Sequence, residues 1–255
     1  NLQRTWKEIK EESNQVSLNL KVPFEQWSGD EGYLKVGFFD DALDRELKQQ
    51  SYSNPGDFWS FTGDWTDFAS AAFANESHLM EEADIDVPYS GIQDIRAYYG
   101  MLDLPFSEQL KFIGGARVET THLATNLSPE ANAQWFPQGG FLPQFMKDAD
   151  PGDYNQDFEE TDLLPALALS YEPTDMFAIY AGYSQTIARQ TFKEITPILH
   201  QEFLGGPIFI GNPDLGMSEL KNFDLRMDYK PYDGGLLSGN RRRNAKLEHL
   251  VVRPG

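Results

Sequence analysis

The chain has 255 residues, a formal net charge of −19 and a pI near 4.5, which argues against nucleic acid as a partner because phosphate binding needs clustered Lys and Arg. A mean hydropathy of −0.51, with no apolar run of the roughly 18 residues that a helical span requires, excludes a bundle of membrane helices. Cysteine is absent, so disulfides and thiolate metal sites are excluded too.

Residues 1–12 are charged and weakly patterned around Trp6 and read as the end of a loop. From Ser13 the alternation is clear, with Val16, Leu18, Leu20 and Val22 against Gln15, Ser17, Asn19 and Lys21. That period of two marks a strand with one apolar face. Pro23 ends it, and residues 24–32, with Trp27, form a turn. Tyr33 to about Asp40 is the returning strand. The pattern then stops, and the polar, aromatic stretch 41–89, which holds Trp59 and Trp65, predicts a long loop.

The next hairpin places Ile95, Ala97, Tyr99 and Met101 on one parity and Asp94, Arg96, Tyr98 and Gly100 on the other. After a short turn at 104–110, Phe112, Gly114, Ala116 and Val118 alternate with Lys111, Ile113, Gly115, Arg117 and Glu119. A second long loop, 126–160, carries Trp135 and Tyr154. Leu163–Tyr171, the turn 172–175 and the strand from Phe177 to Tyr183 give a third hairpin, followed by the loop 196–218. The last clear strand sets Phe223, Leu225, Met227 and Tyr229 against Asn222, Asp224, Arg226, Asp228 and Lys230. About seven complete strands are expected, with an eighth begun at 236–238, and long and short connections alternate throughout.

Two packings fit such strands. A soluble sheet covers its apolar face with a second layer, whereas an outer-membrane barrel turns that face to lipid and its polar face to the lumen. The runs extend for about ten residues, close to the roughly 9 to 11 that cross a bilayer and longer than the usual 5 to 6. Long loops on one side only are uncommon in compact soluble domains and usual in barrels. The expected fold is therefore all-β: an antiparallel meander, part of a large transmembrane barrel with long outer loops and short periplasmic turns. The alternative, a soluble or surface β-protein that binds a glycan or a protein partner, requires Phe223, Leu225, Met227 and Tyr229 to lie beneath other side chains.

The stretch from Tyr180 to Ile195, YAGYSQTIARQTFKEI, followed by Gly211-Asn-Pro-Asp-Leu215, resembles the later strands of TonB-dependent outer-membrane receptors. So does the strand-turn-strand text AYYGMLDLPFSEQLKFIGGARVE. The family pattern runs approximately Y-S-x-T-x-A-R-P-x-F-x-E with an N-P-D-L before the next strand. Gln190 stands where that pattern has Pro, and Gly216-Met217 where Lys-Pro often follows. The resemblance implies location in a Gram-negative outer membrane and energised uptake of a scarce ligand such as an iron chelate, cobalamin or an oligosaccharide. It also implies a lumen filled by an N-terminal plug and pulled through the TonB complex. Neither the plug nor a TonB-contacting segment is in this sequence.

Nothing points to catalysis. His78, His122, His200 and His249 are scattered without ligand spacing, and no P-loop, Gly-x-Ser-x-Gly or Gly-x-Gly-x-x-Gly occurs. No catalytic residue, metal ligand or cofactor is assigned. Trp59, Trp65, Trp135 and Tyr154 are candidates for stacking on a ligand in an outer vestibule, or else for packing the loops themselves. Asp94, Arg96, Arg117, Asp224, Arg226 and Asp228 share the parity given to the lumen, where the resemblance implies contact with the plug. Pairing across neighbouring strands is the competing role. From Asn240 the text changes: three consecutive arginines stand where an alternating strand is due. Residues 1–239 are read as part of the barrel and 240–255 as a tail foreign to it, by truncation, frame change or addition.

Overall fold

In a computed structural model, residues 3–27, 29–53, 81–135, 142–197, 199–201, 208–232 and 235–247 are described. Eight long strands dominate them: β1 (Gln3–Glu25), β2 (Glu31–Ser53), β3 (Tyr89–Ser107), β4 (Leu110–Leu127), β5 (Gln156–Thr174), β6 (Phe177–Ala188), β7 (Ser218–Tyr229) and β8 (Leu237–Leu247). Each is antiparallel to the one before it, so the sheet is an uninterrupted meander in chain order, with the two-residue strand Glu81–Glu82 added beside β2. Two helical turns, α1 (Pro151–Tyr154) and α2 (Phe192–Ile195), lie in the long connections.

The register makes one face of this sheet apolar. Leu18, Phe38, Tyr98, Val118 and Leu163 are successive partners across β1 to β5. Leu167, Tyr183 and Phe223 continue the band across β5, β6 and β7. Leu18 is 70%, Leu167 43% and Leu225 40% exposed. A second layer would have buried these side chains, so the sandwich alternative fails. Large apolar groups in a continuous, uncovered stripe are what a lipid-facing barrel surface presents. We call this the outer face and the opposite one the inner face.

The strands are longer than expected. Residues 3–12 and 41–53, read from the sequence as loops, belong to β1 and β2 and pair residue for residue. Charged side chains occupy both faces of each stretch, so no clean alternation announces them; backbone pairing and ion pairs such as Arg45 with Glu11 hold them together. At about 3.3 Å per residue, a strand of 23 residues reaches about 75 Å, against a bilayer core of about 30 Å. The wall therefore continues well past the apolar band.

The strand β8 is another departure, for it runs in register with β7 along its whole length, from Tyr229 opposite Leu237 to Glu219 opposite Leu247. Arg241 and Arg243 fall on the outer face opposite Leu225 and Phe223, while Arg242 falls on the inner face opposite Asp224.

The buried core sits on the inner face near the outer ends of the strands. Leu47, Tyr89, Leu123 and Leu127 rise from the wall, and Trp135, Met146, Tyr154, Phe192 and Ile195 descend on them from the long connections. Among the described residues no helix is long and apolar enough to cross a membrane.

Candidate functional site

At the depth of the apolar band the inner face is polar and cross-linked. Arg226 pairs with Asp228 at 2.7 Å, and Asp228 also accepts a 2.7 Å hydrogen bond from the Ser238 hydroxyl. The Arg226 guanidinium lies 5.5 Å from the Tyr180 ring. Asp224 meets Arg242 at 3.5 Å and is otherwise open. Lys111 closes on the buried Asp103 at 3.1 Å. Side chains spaced two residues apart, or directly opposite on adjacent strands, share a face and can pair in this way.

Between these charges lies an apolar depression of about 430 Å³, floored by Met101, Ile113, Gly115, Leu164, Ala166 and Ala168. Its floor is shallow because β4, β5 and β6 turn small side chains inward there. Gly37 serves a related purpose nearby: the Tyr99 ring lies across it to reach Asn19, a path that a Cβ on Gly37 would block.

Above the depression stands a second charge cluster of the inner wall. Arg117 donates to Glu119 at 2.6 Å and lies 4.9 Å from the Phe39 ring. Glu119, whose side chain is almost fully buried, also pairs with Arg189 from beyond the end of β6. Arg189 in turn donates to the Thr121 hydroxyl at 3.2 Å. Burial, with Arg117 close by, lowers the pKa of Arg189 from its ordinary value. A guanidinium stays charged even so.

The residues singled out from the sequence separate into groups. Arg117, Asp224, Arg226 and Asp228 stand on the inner face. Asp94 and Arg96 do not: Arg96 is opposite Asp40 and Thr120, and Asp94 opposite Ala42 and His122, on the face that carries Tyr98 and Val118. Arg96 pairs with Asp40 at 2.9 Å, and His122 reaches Asp157 at 2.9 Å and Asp94 at 3.5 Å. The assignment of these two to the lumen is therefore corrected. It rested on taking Ile95 and Ala97 as the lipid-facing parity, whereas both are buried on the inner face.

Trp135 and Tyr154 are each 6% exposed and stack edge to face at 6.4 Å inside the loop core. They hold the loops together and offer no open stacking surface. Trp59 and Trp65 lie outside the described residues. Glu119, which the sequence places on the parity of Arg117, and Thr121 were not singled out as site residues. Among the described residues no group of His, Asp or Glu is arranged to hold a metal ion.

Comparison with known proteins agrees with this geometry. The chain matches the profile described as TonB dependent receptor-like, beta-barrel, over residues 5–240. The alcaligin outer membrane receptor FauA from Bordetella pertussis superposes with a TM-score of 0.55 at 12% identity, covering 95% of this chain and 30% of that one. The ferric yersiniabactin uptake receptor FyuA from Yersinia pestis gives 0.44 at 12% identity, over 89% of this chain and 27% of that one. The copper transporter OprC gives 0.45 at 12% identity, over 88% and 29%. No curated protein sequence matches the chain. It thus spans about 30% of the first of these receptors, and with 5–240 matched to the family profile the chain belongs to the TonB-dependent receptor-like β-barrels of the Gram-negative outer membrane.

Proposed function

We propose that this chain forms part of the wall of a receptor for energised, TonB-dependent uptake of a scarce small molecule or oligosaccharide, such as an iron chelate or cobalamin. The observation that carries the reading is the exposed apolar band on one face, backed by a charged, cross-linked inner face. The family membership and the FauA fold support it. On this reading the apolar band contacts outer-membrane lipid, and Arg117, Asp224, Arg226 and Asp228 face a plug. The described sheet leaves β1 and β8 as open edges. Unpaired backbone groups are not tolerated in hydrocarbon, so further strands close the barrel.

Residues 240–247 pair with β7 but suit a lipid-facing wall poorly. The family match stops at residue 240, and Arg241 and Arg243 would meet lipid beside Leu225 and Phe223 at a cost of about 2–4 kcal/mol each near mid-bilayer. We propose 1–239 as the receptor's own barrel sequence and 240–255 as foreign to it, with residues 240–247 extending β8 along β7.

Cells lacking the receptor test the transport reading directly. They are expected to lose energy-dependent accumulation of one member of a panel of ferric chelates, cobalamin and oligosaccharides. Accumulation unchanged across the panel, with and without the proton-motive force, overturns it.

A further inference from the structure

We propose that residues 189–197 and 211–217 form a strap folded inward across the barrel's outer mouth, latched to the inner wall by Arg189. It depends on the reading above only for which side is the lumen.

The path of the chain supports this. Arg189 leaves the end of β6, yet its guanidinium reaches Glu119 and Thr121 on β4, passing over the inner face of β5. Three residues later Phe192 has passed β4 as well. Its ring packs on Gly91 of β3, 6.3 Å from the Tyr89 ring and 5.5 Å from the Arg45 guanidinium of β2. A Cβ on Gly91 would come within 2.6 Å of that ring, so the missing side chain is the socket into which Phe192 fits. Ile195 is 1% exposed in the same cluster. The segment thus crosses from β6 to β3 and β2 as a chord over the inner face. It does not stand up from the rim as a simple loop would.

The strap is stiffened from within. Thr191 donates its backbone N–H to the Glu194 carboxylate at 2.7 Å, a local clasp that starts α2. The Gln190 amide donates to the Leu215 carbonyl at 2.6 Å, and the Asn212 N–H to the Glu194 carbonyl at 2.6 Å, binding the returning leg to the outgoing one. These contacts give the residues of the A-R-Q-T-F-K-E stretch separate mechanical roles: Arg189 latch, Gln190 staple, Thr191 and Glu194 clasp, Phe192 toe.

The latch is suited to release. Glu119 engages Arg117 as well as Arg189, so freeing Arg189 leaves no buried carboxylate without a cation. Releasing the ionic latch then costs the Arg189 contacts without stranding an anion, as a two-membered buried pair would, and full opening adds the loss of the Phe192 and Ile195 packing.

These 255 residues contain no cysteine, and each introduced thiol is read against the parent receptor without it. Ala97 stands opposite Glu119 on the inner wall and has no exposed surface. In cells carrying the receptor, Ala97→Cys should react slowly with a water-soluble maleimide added from outside. Adding Arg189→Ala or Phe192→Ala should speed the reaction roughly tenfold or more, as a shifted local opening does, with Arg189→Lys in between. Glu119→Gln is the milder second lesion, and heat-modifiable gel migration identifies folded variants. Fast labelling of Ala97→Cys alone, or one rate shared by all folded variants, overturns the strap. A separate thiol at Leu167 tests the membrane: rapid reaction there with the same reagent sinks the barrel reading without touching the strap comparison.

Discussion

The lower and upper parts of the same strands are built for opposite surroundings. Below the rung of Val16, Asp40, Arg96, Thr120 and Thr161, the outer face carries Tyr98, Val118 and Leu167, while the inner face carries Tyr99, Arg117 and Asp103. Above it the order reverses: Asp94, His122 and Glu159 point outward, and Tyr89, Ile95 and Leu123 are buried inward. Hydrocarbon surrounds the first region, and water surrounds the second, whose apolar partner is the pair of infolded long connections. A strand crossing from one medium to the other must invert the phase of its alternation, because apolar groups follow whatever excludes water.

Substitutions with opposite local consequences test this inversion. The largest effect belongs to the upper core. Leu123 is 2% exposed, so Leu123→Ala should cost about 2–5 kcal/mol of local stability. Amide exchange should rise across 130–155 and 189–197, while the lower wall still inserts in lipid. Global loss of the barrel would mean that the two regions are one cooperative unit.

Next come paired arginines on the same outer face. Leu167→Arg, inside the band, should weaken insertion into phosphocholine vesicles by about 2–4 kcal/mol in denaturant titrations. Ile92→Arg, above it, should stay within about 0.5 kcal/mol, the usual range for a surface change. Similar costs at the two positions would place the boundary elsewhere.

The inversion also explains what the sequence made legible. The lower wall was readable because β1, β5 and β7 keep one strict alternation there, and the receptor-like text spans β6 and the turn before β7. In β3 the phase slips between Ala97 and Tyr98, so parity carried downward from Ile95 put Asp94 and Arg96 on the wrong face. The upper halves of β1 and β2 were invisible because charged residues occupy both faces. The contacts of Arg189 with Glu119 and Thr121 join residues about 70 apart, and no local spacing announces such a meeting. Trp135 and Tyr154 were seen as aromatic, but only packing decides between a ligand surface and a loop core.

A smaller effect is expected at Gly91. Adding one methyl group in Gly91→Ala pushes into the Phe192 ring, and overpacking of this kind costs about 1–3 kcal/mol. The change should loosen the upper region without altering lipid insertion. Phe192→Leu in the same background should recover part of the loss, since the smaller side chain vacates the space.

The smallest effect is electrostatic and lies where the connection after β4 meets the segment just before β3. Glu130 accepts the Asp86 N–H at 2.8 Å, yet its pKa is raised, first by burial and further by Asp86, Glu82 and Asp84. A carboxyl that holds its proton more tightly folded than unfolded stabilises the fold while protonated, and that contribution is lost as pH rises through the folded pKa. Acidification from neutral pH toward the ordinary carboxylate range should therefore increase amide protection around Asp86 and Glu130, opposite to the usual acid response of paired carboxylates. Glu130→Gln keeps an acceptor for the Asp86 N–H and removes the charge, so its protection should no longer vary with pH across that window. The lower wall, where Glu130 has no contact, should show the same protection in both proteins, which ties the pH response to the water-facing half alone.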